Sequence, residues 1–353
     1  MQLRSRVVLH LALFLAASTV ARADQVDDHV KRQMDYYKLP GLSLVIVKDG
    51  AIVKVAGYGL ADRKSGEPVT PDAVFKIGSV SKQFIATAVM LLANERRLDI
   101  DDPVSTYLEA TPNTWAPITI RHLLTHTAGL VRESPAFDAQ KHVPDAELIR
   151  AVYSVPLRFT PGSKHEYSNA GYYVLADIIR IVSRQPWAEF IDQRVFRPAG
   201  MSMTAPTNIT PTLPNQVVGY TGNDNARVAD DWVALRPSGA FLSTALDLAK
   251  WEALLYTDAV IDEATRRQMW TPVRLNDGSS APYGFGWHVD TAGGHRRVWH
   301  GGGLPGFSAQ YVRFPDERLT VILLANGDDV DTASMANGLA ALFYLPPRAQ
   351  QQP

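Results

Sequence analysis

Apolar positions first recur at helical spacing. Val26, Val30, Met34 and Tyr37 fall every three or four residues and predict a helix over residues 24–38. The period then changes. Residues 41–47 and 51–58 are rich in β-branched residues and flank Lys48-Asp49-Gly50. An Asp-Gly step between two such runs predicts a β-hairpin. Residues 74–77 form a short third candidate strand, stopped by Gly78. From Ser79 to about Asn94 the helical period returns, with Phe84, Ile85, Ala88, Val89 and Leu92 on one apolar face.

The middle of the chain is mainly helical in pattern. Residues 145–152, 170–182, 187–196 and 244–255 carry period-3.6 apolar positions. Pro161-Gly162, Pro198-Ala199-Gly200 and Pro237-Ser238-Gly239 punctuate them. Strand character returns at 283–289, 296–299, 307–314 and 319–325, before a last helix at about 333–344. Strands at both ends with helices between predict a mixed α/β (α+β) fold. One antiparallel sheet is assembled from the two chain ends and flanked by helices, with an all-helical subdomain inserted. The expected sheet region is about 24–78 plus 275–346, the helical region about 79–274, and a cleft between them is the natural place for a ligand.

Composition narrows the chemistry. The 353 residues are 46% hydrophobic and 20% charged, which supports a large core. With no cysteine, disulfides, thiolate metal sites and cysteine nucleophiles are excluded. The formal charge of −1, without a basic stripe, speaks against a nucleic-acid partner. At the N-terminus Arg4 and Arg6 precede a mostly apolar run over 7–20, and Ala21-Arg22-Ala23 has the small-x-small form of a cleavage site. The run is too short to span a bilayer, which takes roughly 20 residues. It reads as a signal peptide, cleaved after Ala23, that sends the chain to the periplasm or the exterior, with no stable membrane anchor afterwards. The segment 347–353 reads as a disordered tail.

Ser79-Val80-Ser81-Lys82 opens the apolar helical stretch and is the most informative feature of the chain. Residues three apart on a helix share a face. In a dry pocket the lysine would lose its proton and take one from the serine hydroxyl, making Ser79 a nucleophile without a histidine base. The plainer alternative is a serine N-cap beside a solvent-facing lysine. Tyr167-Ser168-Asn169 precedes the helix at 170–182 and would aim a phenol and an amide into a cleft; the alternative is an N-cap and a half-buried aromatic. His300-Gly301-Gly302-Gly303 follows a candidate strand; its glycines allow close backbone approach and a second oxyanion donor beside the N–H of Ser79, or else form a hairpin turn. His126, within Leu123-Leu124-Thr125-His126-Thr127-Ala128-Gly129-Leu130, reads as a buried hydrogen-bonding residue.

Together and in this order, these residues resemble the serine β-lactamase and penicillin-binding protein superfamily. The nearest part of it is the branch of class C β-lactamases, DD-peptidases and family VIII esterases. S-x-x-K stands at Ser79–Lys82, Y-x-N at Tyr167–Asn169, and an H-x-G variant of the K-T-G element at His300–Gly302. The flanks at 123–130, 161–162, 200–201 and 300–307 match as well, so the resemblance covers about residues 25–345. It implies an acylated Ser79, proton transfers shared by Lys82 and Tyr167, and Asn169 and His300 in the site. It also implies an oxyanion hole from the N–H groups of Ser79 and Gly303, with Gly301 and Gly302 beside the substrate. His300 departs from the lysine of many β-lactamases, and a neutral histidine holds a substrate carboxylate less well. That favours D-peptides and small esters over β-lactams. Glu166 reads as a loop residue. Trp232, Tyr220 and Phe137 are candidate subsite walls, within or near the segments 204–236 and 131–142. The acidic cluster 328–331 lacks the calcium-loop pattern and reads as a solvated turn. No metal or organic cofactor is expected, the partner is a small-molecule or peptide substrate, and the oligomeric state stays open.

Overall fold

The computed structural model describes residues 24–344 apart from 142, 208–211, 233–236, 240 and 329. The expected signal peptide and the tail at 347–353 lie outside the described residues, as does His142. In chain order, helix α1 (24–37) is followed by the hairpin β1 (Gly41–Lys48) and β2 (Ala51–Asp62) and by the short β3 (Glu67–Pro68). Asp49 and Gly50 both take positive φ (52° and 81°), the two-residue turn that matches strand twist.

The helical body contains α2 (Lys82–Asn94), α3 (Ile120–Leu124), α4 (Asp145–Tyr153), α5 (Asn169–Ser183), α6 (Trp187–Ile191), α7 (Ala245–Leu254) and α8 (Glu263–Met269). Small sheets punctuate it. β4 (Phe75–Lys76), β5 (Ala205–Pro206) and β8 (Phe241–Ser243) form one with β8 central. β6 (Tyr220–Thr221) pairs with β7 (Arg227–Val228), and β9 (Val273–Arg274) with β10 (Ser280–Ala281). The chain closes with β11 (His288–Ala292), β12 (His295–Leu304), β13 (Phe307–Phe314), β14 (Leu319–Ala325) and α9 (Thr332–Ala341).

The main sheet has seven antiparallel strands in the order β11-β12-β13-β14-β1-β2-β3, so both chain ends do build it. β1 joins the two halves, with Leu42 opposite Ala325 and Val45 opposite Ile322. The central strands read as unbroken apolar runs because both sheet faces are covered. Leu42, Leu44 and Ile46 pack with Val321 and Leu323 under α1 and α9. Val45 and Val47 turn the other way, with Ile322 and Leu324, into the core of the helical body. Among the described residues no helix is long and apolar enough to cross a membrane.

Three sequence expectations need correction. Residues 283–287 are not a strand; β11 begins at His288, and Tyr283 meets it only through an isolated bridge. The stretch expected as a helix at 187–196 is α-helical only to Ile191, then makes a π-helical turn over Asp192–Phe196. The strand expected at 296–299 runs on to Leu304, straight through the glycines.

One polar cluster lies deep between α7 and β13. Glu252 and Arg313 are both essentially unexposed, and Arg313 Nε lies 2.8 Å from Glu252 Oε2. Tyr311 donates its hydroxyl to the same carboxylate at 2.5 Å, and the guanidinium lies 4.3 Å from the Trp270 ring centre. Glu252→Ala would leave a cation in an apolar box, a change that costs about 3–5 kcal/mol. Urea unfolding should show that loss, and the double variant Glu252→Ala/Arg313→Met should recover part of it. A double variant no more stable than the single one would show that the charge is not the cause.

Candidate active site

Ser79 sits in a 3-10 turn, Gly78–Ser81, that runs directly into α2. It is therefore not a helix N-cap, and Ser81 stands between the turn and the helix. From Lys82 to Leu92 every residue of α2 is buried, so the helix is the central rod of the body rather than an amphipathic surface helix. β8 clamps the turn from both ends: Ile77 N–H donates to the Phe241 carbonyl at 3.0 Å, and Phe241 N–H donates to Ser81 Oγ at 3.2 Å.

Lys82 is fully buried. Its Nζ lies 3.1 Å from Ser79 Oγ, 2.9 Å from Asn169 Oδ1 and 2.6 Å from the Ser238 carbonyl. The last two partners are pure acceptors and take two N–H bonds in either charge state. The remaining tetrahedral position of the nitrogen points to Ser79. It holds an N–H when lysine is an ammonium and a lone pair when it is an amine. One geometry thus serves both states, which is what a group that takes and returns the serine proton requires.

Asn169 is the first residue of α5. Ser168 before it is the N-cap, its Oγ accepting from Gly171 N–H at 3.1 Å. The amide of Asn169 is oriented from behind: its Nδ2 donates to Glu133 Oε2 at 3.1 Å, which leaves Oδ1 for the lysine. Tyr173 donates to the other oxygen of Glu133. The Tyr167 ring lies 4.8 Å from Lys82 Nζ. His126, buried with φ of +59°, accepts the Ser168 N–H at Nδ1 and packs its ring 4.2 Å from that of Tyr167. It therefore fixes the Tyr167-Ser168-Asn169 turn, the structural part the sequence suggested for it.

β12 lies against the serine turn. A Cβ on Gly302 would sit 2.0 Å from the Ile77 carbonyl oxygen, and one on Gly78 would sit 2.8 Å from Gly303 N. Glycine at 302 is what lets the strand come so close. Of the three glycines, only Gly303 lines the cavity; Gly301 accepts a hydrogen bond from its neighbour His300 instead. His300 is buried, with Nδ1 2.6 Å from the Gly301 carbonyl and Nε2 2.9 Å from Tyr283 Oη. Since a carbonyl only accepts, Nδ1 carries the proton and Nε2 accepts from the tyrosine. Burial first, then the charges of His288 and Lys82, push this imidazole well below its usual range. The ring is neutral, and both nitrogens are engaged inside the protein.

The cavity above Ser79 has a volume of about 530 Å³ and is bounded by Arg132, Glu133, Asn169, Trp232, Ser238 and Gly303, among others. Trp232 lines it, and the Phe137 ring packs against Trp232 in a tilted contact with ring centres 5.6 Å apart. Tyr220 stands elsewhere: its oxygen accepts from Arg63 N–H at 2.7 Å and faces Asp62 Oδ1 at 3.1 Å. Glu166 pairs with Arg158 at the surface. In the acidic cluster, Asp328 accepts from Gly306 N–H at the cavity edge and Asp331 caps α9, while Asp329 lies outside the described residues. Among the described residues no group of acidic and histidine side chains could hold a metal.

Arg132, Glu133, Ser238 and Tyr283 have no motif to announce them. Ser238 acts through its backbone, which no side-chain pattern encodes. Arg132 and Glu133 lie in the stretch expected to border the cleft, without a spacing that singles them out.

Four histidines crowd this region, and burial is the largest cause of a lowered pKa for each: His126, His165, His288, down to about 4, and His300. In the unfolded chain each titrates near 6.5. Between pH 6.5 and 5 the unfolded state therefore binds more protons than the native one, and stability falls as pH falls. The lowered carboxylates act mainly at lower pH. Urea unfolding at pH 7.5 and 5.0 should give a clearly smaller free energy at pH 5.0; equal values would contradict neutral histidines in the folded protein.

The sequence matches the family described as beta-lactamase over residues 26–344. Among curated proteins it is 30% identical over 309 residues to penicillin-binding protein 4* of Bacillus subtilis, covering 81% of this chain and 68% of that one. It is also 30% identical over 300 residues to a D-aminopeptidase of Brucella anthropi, covering 82% of this chain but only 56% of the relative. Among solved structures it resembles an octameric penicillin-binding protein homologue from Pyrococcus abyssi, with a TM-score of 0.80, 25% identity, and coverage of 90% of this chain and 76% of that one.

Proposed function

Since the chain belongs to the beta-lactamase family and is a serine hydrolase of that superfamily, we propose that it is an exported enzyme cleaving esters and amides through an acyl-Ser79 intermediate. D-amino-acid peptides or amides and small carboxylic esters lead the substrate list, ahead of β-lactams. The observation that carries this reading is the buried Lys82 amine, 3.1 Å from Ser79 Oγ and tied to Asn169 Oδ1 and the Ser238 carbonyl.

In this reading Ser79 Oγ attacks the substrate carbonyl as its proton passes to the Lys82–Tyr167 pair. The N–H groups of Ser79 and Gly303 face the developing oxyanion, a contribution worth about 3–4 kcal/mol per donor in other hydrolases. The proton returns to the leaving oxygen or nitrogen. Water then repeats the sequence on the acyl-serine and frees Ser79. Asn169 keeps the lysine aimed, and Glu133 keeps Asn169 aimed. The ranking of substrates follows from His300. A neutral ring with both nitrogens engaged gives β12 no cation for the carboxylate that β-lactams carry. The relatives named as D-aminopeptidase and penicillin-binding protein support the D-peptide class.

Export rests on Arg4, Arg6, the apolar run at 7–20 and Ala21-Arg22-Ala23. Expression of the whole chain in a bacterial host should yield a protein beginning at Asp24; an intact N-terminus on active protein would sink this part.

The chemistry is tested by mass spectrometry after a fluorophosphonate or a penicillin probe, alongside hydrolysis of p-nitrophenyl butyrate, D-alanyl p-nitroanilide and nitrocefin. One adduct on Ser79 is expected. Folded protein that turns over the ester with Ser79 unmodified by the fluorophosphonate would overturn the reading.

A further inference from the structure

The cavity holds an exposed cation that the mechanism does not use. Arg132 follows Gly129-Leu130-Val131 and lines the wall beside Asn169 and Glu133. Its backbone carbonyl is structural and accepts the N–H groups of Asn169 at 2.7 Å and Ala170 at 3.3 Å. Its side chain has no part in that. The guanidinium lies 5.4 Å from the Tyr167 ring centre and has no acidic partner among the described residues. Lys82 lies 4.8 Å from the same ring centre, so the guanidinium stands within about 10 Å of the lysine nitrogen beside Ser79. One amino-acid residue plus the reach of a hydrogen bond, about 7 Å together, falls within that bound.

The other charged groups described in this cavity are engaged. Glu133 holds Asn169 and Tyr173. Asp328 holds the Gly306 N–H. Lys82 is buried among its three acceptors. β12, with His300 neutral and turned inward, offers no charge here. Among the described residues, the five donors of Arg132 are what the cavity presents to an incoming group, and a planar guanidinium fits a carboxylate in a two-pronged bond.

Resting on the serine-hydrolase reading of this site, we infer that Arg132 is its specificity-determining residue and selects ester and amide substrates whose acyl group bears a carboxylate about one residue from the scissile carbonyl, on the side opposite to the leaving-group carboxylate of a β-lactam. The side chain leans on Tyr167, which limits the freedom lost on binding. The selection thus comes from the loop before α5 and not from β12. A carboxylate bound this way should gain about 10- to 100-fold in affinity over a neutral analogue.

Phenylboronic acid and its 3-carboxy derivative test this without turnover, because boron adds to a reactive serine oxygen. Their dissociation constants would be measured by calorimetry on the full-length protein and on the Arg132→Gln and Arg132→Lys variants. Initial rates on p-nitrophenyl butyrate and the monoester of succinate would be measured in parallel. The native protein should prefer the carboxylate partner of each pair by at least tenfold, Arg132→Gln should lose the preference, and Arg132→Lys should keep part of it. A preference that is absent in the native protein, or that persists in a folded Arg132→Gln, overturns the inference alone. Failure of both boronates to bind and of both esters to react overturns the serine-hydrolase reading and the inference with it.

Discussion

Ser79→Ala should lower kcat on p-nitrophenyl butyrate by about 10⁴- to 10⁶-fold, as loss of a nucleophile does in other serine hydrolases. Lys82→Met should cost nearly as much. The two losses share a cause, because the hydroxyl is useful only while the amine 3.1 Å away takes its proton. The double variant should therefore be little slower than either single one, far from the product of the two losses. The variants differ in stability. Ser79→Ala removes one contact at the cavity edge. Lys82→Met leaves Asn169 Oδ1 and the Ser238 carbonyl without their buried donor, which costs about 1–3 kcal/mol per group. Steady-state kinetics with thermal unfolding on all three variants separates chemistry from folding. Multiplicative losses, or a Ser79→Ala enzyme retaining a tenth of its rate, would remove Lys82 and Ser79 from a common step.

The sequence carries the fold unevenly, for physical reasons. α1, the Asp49-Gly50 hairpin, α5 and α7 are legible because short-range rules determine them: a period, a turn dipeptide, a capping side chain. Thr244 caps α7 through the Asp247 N–H, and Ser168 caps α5. The strand order is legible only as far as both chain ends are apolar and β-rich; the registers that join β1 to β2 and β14 are not written in either strand alone. Residues 283–287 mislead because Tyr283, Phe285 and Trp287 alternate with glycines like a strand, yet the chain there bends around α2. Gly286, at φ of +76°, packs a Cα against the Lys82 carbonyl. In the site, Ser79, Lys82, Tyr167 and Asn169 are brought together by the structure, and their spacing along the chain is itself a reason to look. His300 shows the limit. Its place on β12 is legible, but that its two nitrogens are spent on Gly301 and Tyr283 depends on a residue 17 positions away. Glu133 and Arg132 are tertiary neighbours in the same sense.

Gly302→Val should cost at least a hundredfold in kcat/KM while leaving most of the fold in place. A Cβ at this position would meet the Ile77 carbonyl oxygen at 2.0 Å and Ser79 N at 3.2 Å. Both are backbone atoms, so no rotamer change relieves the contact. β12 is long and paired on both sides, through five residues of β11 and seven of β13, so the strand as a whole holds its place. What yields is the meeting of strand and turn. The gap between the N–H groups of Ser79 and Gly303 widens, and an oxyanion aligned with one donor loses the other, a loss of about 10²- to 10³-fold. The damage falls on the transition state more than on substrate binding, so kcat drops and KM changes little. Gly303→Ala is the matched control, since a Cβ there meets nothing within 4 Å. Its rate should stay within about tenfold of native, set by whatever the methyl takes from the substrate's space. Equal rates for Gly302→Val and native protein would show that β12 does not supply a donor to the reaction, and that the oxyanion is stabilised from the α2 side alone.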